Sequence, residues 1–308
     1  MKIAVQMFGH LRTYDRCYGK LFENLINRYD CDIFIHTWDS VDHNTQTWHN
    51  YKVDDKLSPS EIKNRVTEYY KPTALKIEKQ NVQDEGVIIA QDKAISVFGI
   101  RSMLYSMAQA NLLREEYQQK TGAHYDYVVV IRPDIELWQP LVLEEFIQKT
   151  ESKDLLNSFY FGGFYRYKNI LNDWRSIGGS DVLFFAAADT MSKIFKNVDK
   201  IFQDCKDQSL SVYGPEYSFL HAIESMGMKL QFVNYLWGEK YTVVRDVRPT
   251  QQPAAPKKSW VKKIFRIHVR TFKFDLILFT FLPFNVIETK LHLTRHFTFY
   301  LCIGKQID

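Results

Sequence analysis

Short apolar runs alternate with amphipathic stretches over most of this chain. Ile3 to Phe8 predicts a strand, followed by the turn Gly9-His10-Leu11-Arg12. Tyr14 to Tyr29 predicts a helix, with Leu21, Leu25 and Ile26 near helical spacing. Asp32 to Trp38 predicts a second strand ending at Asp39. Strand, helix and strand in this order form a βαβ unit and imply a parallel sheet. Residues 40–60 are polar and read as a long loop. Ser60 to Tyr70 predicts a helix with Ser60 as its cap, ended by Pro72, and Ala74 to Glu78 a third strand.

Ile95 to Lys120 is the longest helical stretch. Ile100, Met103, Leu104, Met107, Ala110, Leu112 and Leu113 give its apolar side, and Arg114, Glu115 and Glu116 its polar half. Tyr125 to Ile131 predicts a strand, and its continuous apolar run from Tyr127 is the pattern of one buried on both faces. Further strands are predicted at Ser158–Phe161, Val182–Ala187 and Lys229–Val233, and helices at Asp189–Phe202 and Pro215–Met226. The pattern is α/β: a mixed, mainly parallel sheet flanked by helices. It occupies residues 1–245, with a proline-bearing linker over 246–258 and a tail over 259–308.

Composition separates the body from the tail. The 308 residues carry +4 overall, but residues 257–308 hold ten Lys/Arg against three Asp/Glu, a net of +7, which leaves residues 1–256 at −3. The same tail holds ten aromatic residues. In Ser259–Phe274, Trp260, Ile264, Phe265 and Phe272 share a face opposite Lys262, Lys263, Arg266, Arg270 and Lys273, which predicts a basic amphipathic helix lying on an anionic membrane surface. The apolar run Leu276–Ile287 is too short to span a bilayer, which takes about 20 residues. An acidic body argues against a nucleic-acid partner. Cys17, Cys31, Cys205 and Cys302 share no C-x-x-C spacing and read as reduced cytosolic thiols; Met1–Phe8 reads as a strand rather than an export signal.

Candidate chemistry gathers where the predicted parallel strands end, the usual place for ligands in such sheets. Arg132-Pro133-Asp134-Ile135-Glu136 follows the central strand. Asp134 and Glu136, two apart, either hold a divalent ion (Mn or Mg) against a diphosphate or are solvated charges at a strand end. Arg132 suits bidentate phosphate contact. Gly9 allows close backbone approach, with Arg12 directed at a diphosphate and His10 at a base or ribose, or else the segment is an ordinary loop. Asp39 either accepts from a ribose or base or caps its loop. Gly178-Gly179-Ser180-Asp181 either contacts a sugar or makes a tight turn. Glu216, after Gly214-Pro215, either starts a helix or acts as a general base. No Ser-His-Asp or Cys-His nucleophile pattern is legible.

These motifs resemble known enzymes. A long helix, a buried strand and then an acidic pair looks like the nucleotide-sugar half of GT-A-fold glycosyltransferases. The closer resemblance is to bacterial glycosyltransferases of O-antigen and capsule loci, through Gly9-His10-Leu11-Arg12, Arg132-Pro133-Asp134 and Gly178-Gly179-Ser180-Asp181. The likeness covers about residues 1–240, and it departs from Asp-x-Asp in having Asp134-x-Glu136 after an Arg. It implies a GT-A-like fold and sugar transfer from a nucleotide diphosphate to a lipid-linked or growing surface glycan. The implied donor contacts are Gly9, His10, Arg12, Asp39, Arg132, Asp134 and Gly179. Glu216 or Asp181 would be the base, and Asp134 with Glu136 the metal ligands. Together with the tail, it implies a cytoplasmic enzyme peripheral to the inner face of the membrane. The competing readings are a sugar nucleotidyltransferase, disfavoured by the single glycine after the first strand, and a non-enzymatic membrane-surface binding protein.

Overall fold

The computed structural model describes residues 1–42, 57–90, 93–165, 177–208, 215–245, 288–293 and 297–302. The chain divides into two compact units, Met1–Thr250 and Gln251–Asp308. The first is an α/β unit. It begins β1 (Lys2–Phe8), α1 (Tyr14–Asn24), β2 (Asp30–Trp38), α2 (Pro59–Tyr70) and β3 (Ala74–Glu78). The hairpin β4 (Val87–Ala90) and β5 (Lys93–Ser96) leads into the long helix α3 (Val97–Thr121), then β6 (Tyr127–Ile131) and β7 (Ile135–Leu137). After α4 (Glu144–Ile147) come β8 (Ser158–Tyr165), β9 (Ile177–Gly178) and β10 (Leu183–Ala187). Helices α5 (Ala188–Lys196), α6 (Val198–Gln208) and α7 (Pro215–Ser225) precede β11 (Lys229–Leu236) and β12 (Tyr241–Val243).

Seven strands form the central sheet in the order β11-β8-β10-β6-β1-β2-β3, with β9 pairing to the end of β8. β10 alone runs against its neighbours β6 and β8; the other pairings along this order are parallel. The sheet is buried on both faces, as the central apolar run predicts: Val128, Val129, Val130 and Ile131 are each 0% exposed. Burial of one such side chain stabilises by about 1.5–3 kcal/mol. Period-two alternation divides β1 between two cores. Ala4 and Phe8 pack with α3, α5, α6 and α7. Ile3, Val5 and Met7 pack with α1 and α2.

Several element ends differ from expectation. α1 stops at Asn24, not Tyr29, because buried Asn24 turns its amide to Leu137 O at 2.8 Å and the chain passes into a 3-10 turn. The cap of α2 is Ser58, not Ser60: Pro59 takes the first helical position and Glu61 completes a capping box. The helix predicted at 189–202 is two helices, broken at Asn197, whose side chain bonds back to Lys193 O at 2.8 Å. Arg114, assigned above to the polar half of α3, is 1% exposed. It donates to Asn111 Oδ1 at 2.8 Å, to Ser192 Oγ at 2.6 Å and to Gln118. Asn111 Oδ1 also receives Gln6 Nε2 at 3.2 Å, so α3 and β1 are joined by amide and guanidinium groups inside the core.

In the second unit, β13 (Glu288–Leu293) pairs antiparallel with β14 (Phe297–Cys302). The helix expected over 259–274 and the linker over 246–258 lie outside the described residues. No helix among the described residues is long and apolar enough to cross a membrane.

Candidate functional site

The loops that follow β1, β2 and β6, the residues just before β10 and those just after β12 meet at one edge of the sheet. Asp134 is at their centre, 0% exposed. Arg132 grips it as a fork, Nε to Oδ1 at 3.0 Å and a terminal nitrogen to Oδ2 at 2.6 Å. Arg12 donates to Oδ2 at 3.3 Å and, through Nε, to Asp42 Oδ1 at 3.1 Å. Arg245 makes a third contact to Oδ2. The three arginine side chains are 16%, 17% and 20% exposed, in the order Arg12, Arg132, Arg245. One sealed carboxylate therefore anchors three arginines whose side chains are partly exposed.

Local structure explains the convergence. Gly9 has φ +87°, a conformation open to glycine, and its N–H donates to Ser106 Oγ at 2.7 Å. Arg12 is left-handed as well, φ +52°, which costs about 1 kcal/mol for a residue with a side chain. Its N–H is held by Val41 O at 2.8 Å. Strain of this kind persists where the surroundings over-determine it, and such places cluster at functional sites. Arg245 arrives because β12 pairs antiparallel with β7, Tyr241 opposite Leu137, and Val244 N–H then bonds Asp134 O at 2.8 Å. Thr13 Oγ1 donates to Val244 O at 2.8 Å and ties the first turn to the same strand.

The electrostatics follow. Burial alone would raise the Asp134 carboxyl, but attraction by Arg132, Arg12 and Arg245 holds it well below the usual carboxylate range. Burial opposes the charge of Arg132, and Asp134 more than restores it. Arg245 is pushed down, first by burial and then by repulsion from Arg132. A guanidinium keeps its proton in a protein, so the repulsion remains.

Asp134 and Glu136 do not fit the expected metal site. Both Asp134 oxygens already accept from guanidinium N–H groups, and Glu136 Oε2 accepts from Trp138 Nε1 at 2.9 Å. Among the described residues no group of three or more His, Cys, Asp or Glu is placed to hold a metal ion.

A second polar network adjoins the first. His36, 0% exposed, meets Ser106 Oγ through Nδ1 at 2.6 Å and Glu78 Oε1 through Nε2 at 2.8 Å. Burial pushes the His36 imidazole down to about 4, against the pull of Glu78. The neutral ring then carries its proton on Nε2 toward Glu78 and accepts from Ser106 at Nδ1. A serine–histidine–carboxylate chain thus exists although none was legible in the sequence. Ser106 is fully buried and receives the Gly9 N–H, so its role is to fix the turn after β1.

The remaining candidates occupy the same edge with different tasks. His10 is 4% exposed, with Nδ1 3.1 Å from Ser40 O, and its ring lies 6.4 Å from that of Trp38. Asp39 N–H bonds Glu78 O at 2.9 Å, closing the β2–β3 pairing. Gly179 has φ +69°, and a Cβ there would lie 2.5 Å from Trp237 Cε3, so only glycine fits. Ser180 Oγ reaches Glu216 O at 3.5 Å, which joins the 178–181 turn to the first turn of α7. Arg132 N–H bonds Val182 O at 3.2 Å, and the charge of Asp181 favours the Arg132 cation. Arg245 is the residue that sequence reasoning missed: it stood as the last residue of the body, beside the linker, with no role. The β-branched run Thr242-Val243-Val244 before it was the available signal of a strand. No protein-family model matches the chain, and no curated protein matches it either.

Proposed function

We propose that the chain is a GT-A-like glycosyltransferase that moves a sugar from a nucleotide-diphosphate donor to a lipid-linked or growing surface glycan. The observation that carries this reading is the cup of Arg12, Arg132 and Arg245 at the carboxyl ends of β1 and β6. Guanidinium forks match phosphate oxygens, and cations placed there stabilise charge as it develops on a leaving diphosphate. The mainly parallel sheet and the order of the Gly9–Arg12, Arg132–Asp134 and Gly178–Asp181 segments agree with it.

In this reading the acceptor hydroxyl attacks the anomeric carbon, the bond from that carbon to the diphosphate oxygen breaks, and a carboxylate takes the hydroxyl proton. Glu216, in the first turn of α7, is our candidate base, with Asp181 as its rival. The basic, aromatic tail would hold the enzyme on the inner face of the cytoplasmic membrane, where a lipid-linked acceptor lies.

The test is a screen of nucleotide-diphosphate sugars with the purified full-length protein, reading release of the nucleotide diphosphate with and without membrane-extracted glycan lipid. Release from one donor, lost in Glu216→Gln or Asp181→Asn, is expected. Absence of release from every donor in the presence of acceptor would overturn the reading.

A further inference from the structure

We infer that the Arg12–Arg132–Arg245 cup is a diphosphate clamp that works without a divalent ion, with Asp134 as its positioning residue rather than a ligand. The inference deepens the function proposed above and rests on it for the nucleotide, but the anion chemistry stands on the geometry alone.

The carboxylates that touch the three arginines among the described residues are Asp134 and Asp42. Three fixed cations therefore gather around one sealed carboxylate, with Asp42 against Arg12 and the charge of Asp181 near Arg132, and the arginine side chains are partly exposed. Each guanidinium has five N–H donors in a planar fork. Asp134 and Asp42 occupy two on Arg12, two on Arg132 and one on Arg245, so each arginine keeps donors for a further anion. A divalent cation added here would meet three guanidiniums and no free Asp134 oxygen. A diphosphate would meet guanidinium donors already oriented and would relieve the repulsion between Arg245 and Arg132. The left-handed backbone of Arg12 has the same sense: the chain accepts strain to aim that side chain into the cluster.

Calorimetry on the full-length protein with inorganic pyrophosphate, in EDTA and then with manganese, tests the clamp. We expect binding in EDTA and an affinity that manganese changes by less than about threefold. Arg245→Ala should weaken pyrophosphate at least tenfold, and Arg245→Lys less, since lysine keeps the charge but loses the fork. Arg245→Ala leaves Asp134 paired with Arg12 and Arg132, and its circular dichroism and melting temperature confirm that the fold is kept. Absence of pyrophosphate binding in EDTA, or wild-type affinity in Arg245→Ala, overturns the clamp. The two proposals fail separately. Pyrophosphate binding without transfer from any donor removes the glycosyltransferase reading and keeps the clamp; transfer that needs manganese does the reverse.

Discussion

Two buried polar networks lie side by side at the end of the parallel strands, and they solve the burial problem in opposite ways. Ser106–His36–Glu78 is neutral at its centre: burial strips the charge from His36, and hydrogen bonds satisfy both ring nitrogens. Arg12–Arg132–Arg245–Asp134 is charged at its centre, and ionic contacts rather than proton loss make that tolerable. Ser106 and His36 are sealed in the first, with hydrogen bonds to Glu78 and the Gly9 turn; in the second, sealed Asp134 is ringed by three partly exposed arginine side chains. A neutral network whose hydrogen bonds are all satisfied fixes backbone, here the Gly9 turn. A cationic one with guanidinium N–H groups left over keeps donors for a ligand. The difference teaches that closeness of a histidine, a serine and a carboxylate is no sign of chemistry unless a substrate can reach them.

The sharpest break in the comparison is Asp134→Ala. Removing the shared anion leaves three guanidiniums facing one another, and loss of one partner from a buried ion cluster typically costs about 3–5 kcal/mol. We expect a large fall in the denaturation midpoint, with Asp134→Asn recovering part of it through its amide oxygen. A change below about 1 kcal/mol in Asp134→Ala would mean that the arginines do not depend on their shared anion.

pH separates the two networks next. The folded imidazole of His36 lies near 4 against 6.5 in the unfolded chain, so the unfolded state binds the extra proton in that window. Its contribution is full above about pH 6.5 and is lost as pH falls toward 4, amounting to about 3 kcal/mol. Asp134, held far lower, stays ionised throughout that range. Urea titrations between pH 7 and pH 4.5 should show stability falling with acid, and His36→Gln should flatten the slope. An equally steep slope in His36→Gln would place the acid sensitivity elsewhere.

Legibility in the sequence followed the length of the signal. The runs of β1 and β6 and the periodicity of α3 were plain, because many residues report each and they face large cores. The anion cup was half legible. Arg12 and Arg132 stand directly after strands, so their place follows from local order. Arg245 joins them through the three-residue strand β12 pairing with the three-residue strand β7, and partners so short leave no periodicity. The expected pairing of Asp134 with Glu136 meets a related difficulty. Spacing shows that two carboxylates can share a face; it does not show that three cations from distant segments reach one of them first. Arg114 repeats the lesson, since a charged residue on a helix reads as solvated until its amide and hydroxyl partners are known.

The smallest expected effect concerns the 178–181 turn. Gly179→Ala places a methyl 2.5 Å from Trp237 Cε3 and 2.6 Å from Cζ3, at φ +69°. The indole is rigid and packs edge-on against Phe164, ring centroids 5.3 Å apart, so it must shift as a body. Strain and displaced packing together should cost about 2 kcal/mol. None of the atoms that hold Asp134 is touched, so pyrophosphate affinity should stay within about threefold of wild type while the melting temperature falls. If affinity instead falls with stability, the clamp is not confined to the three arginines, and the glycine turn with its tryptophan cover forms part of the wall that holds the anion.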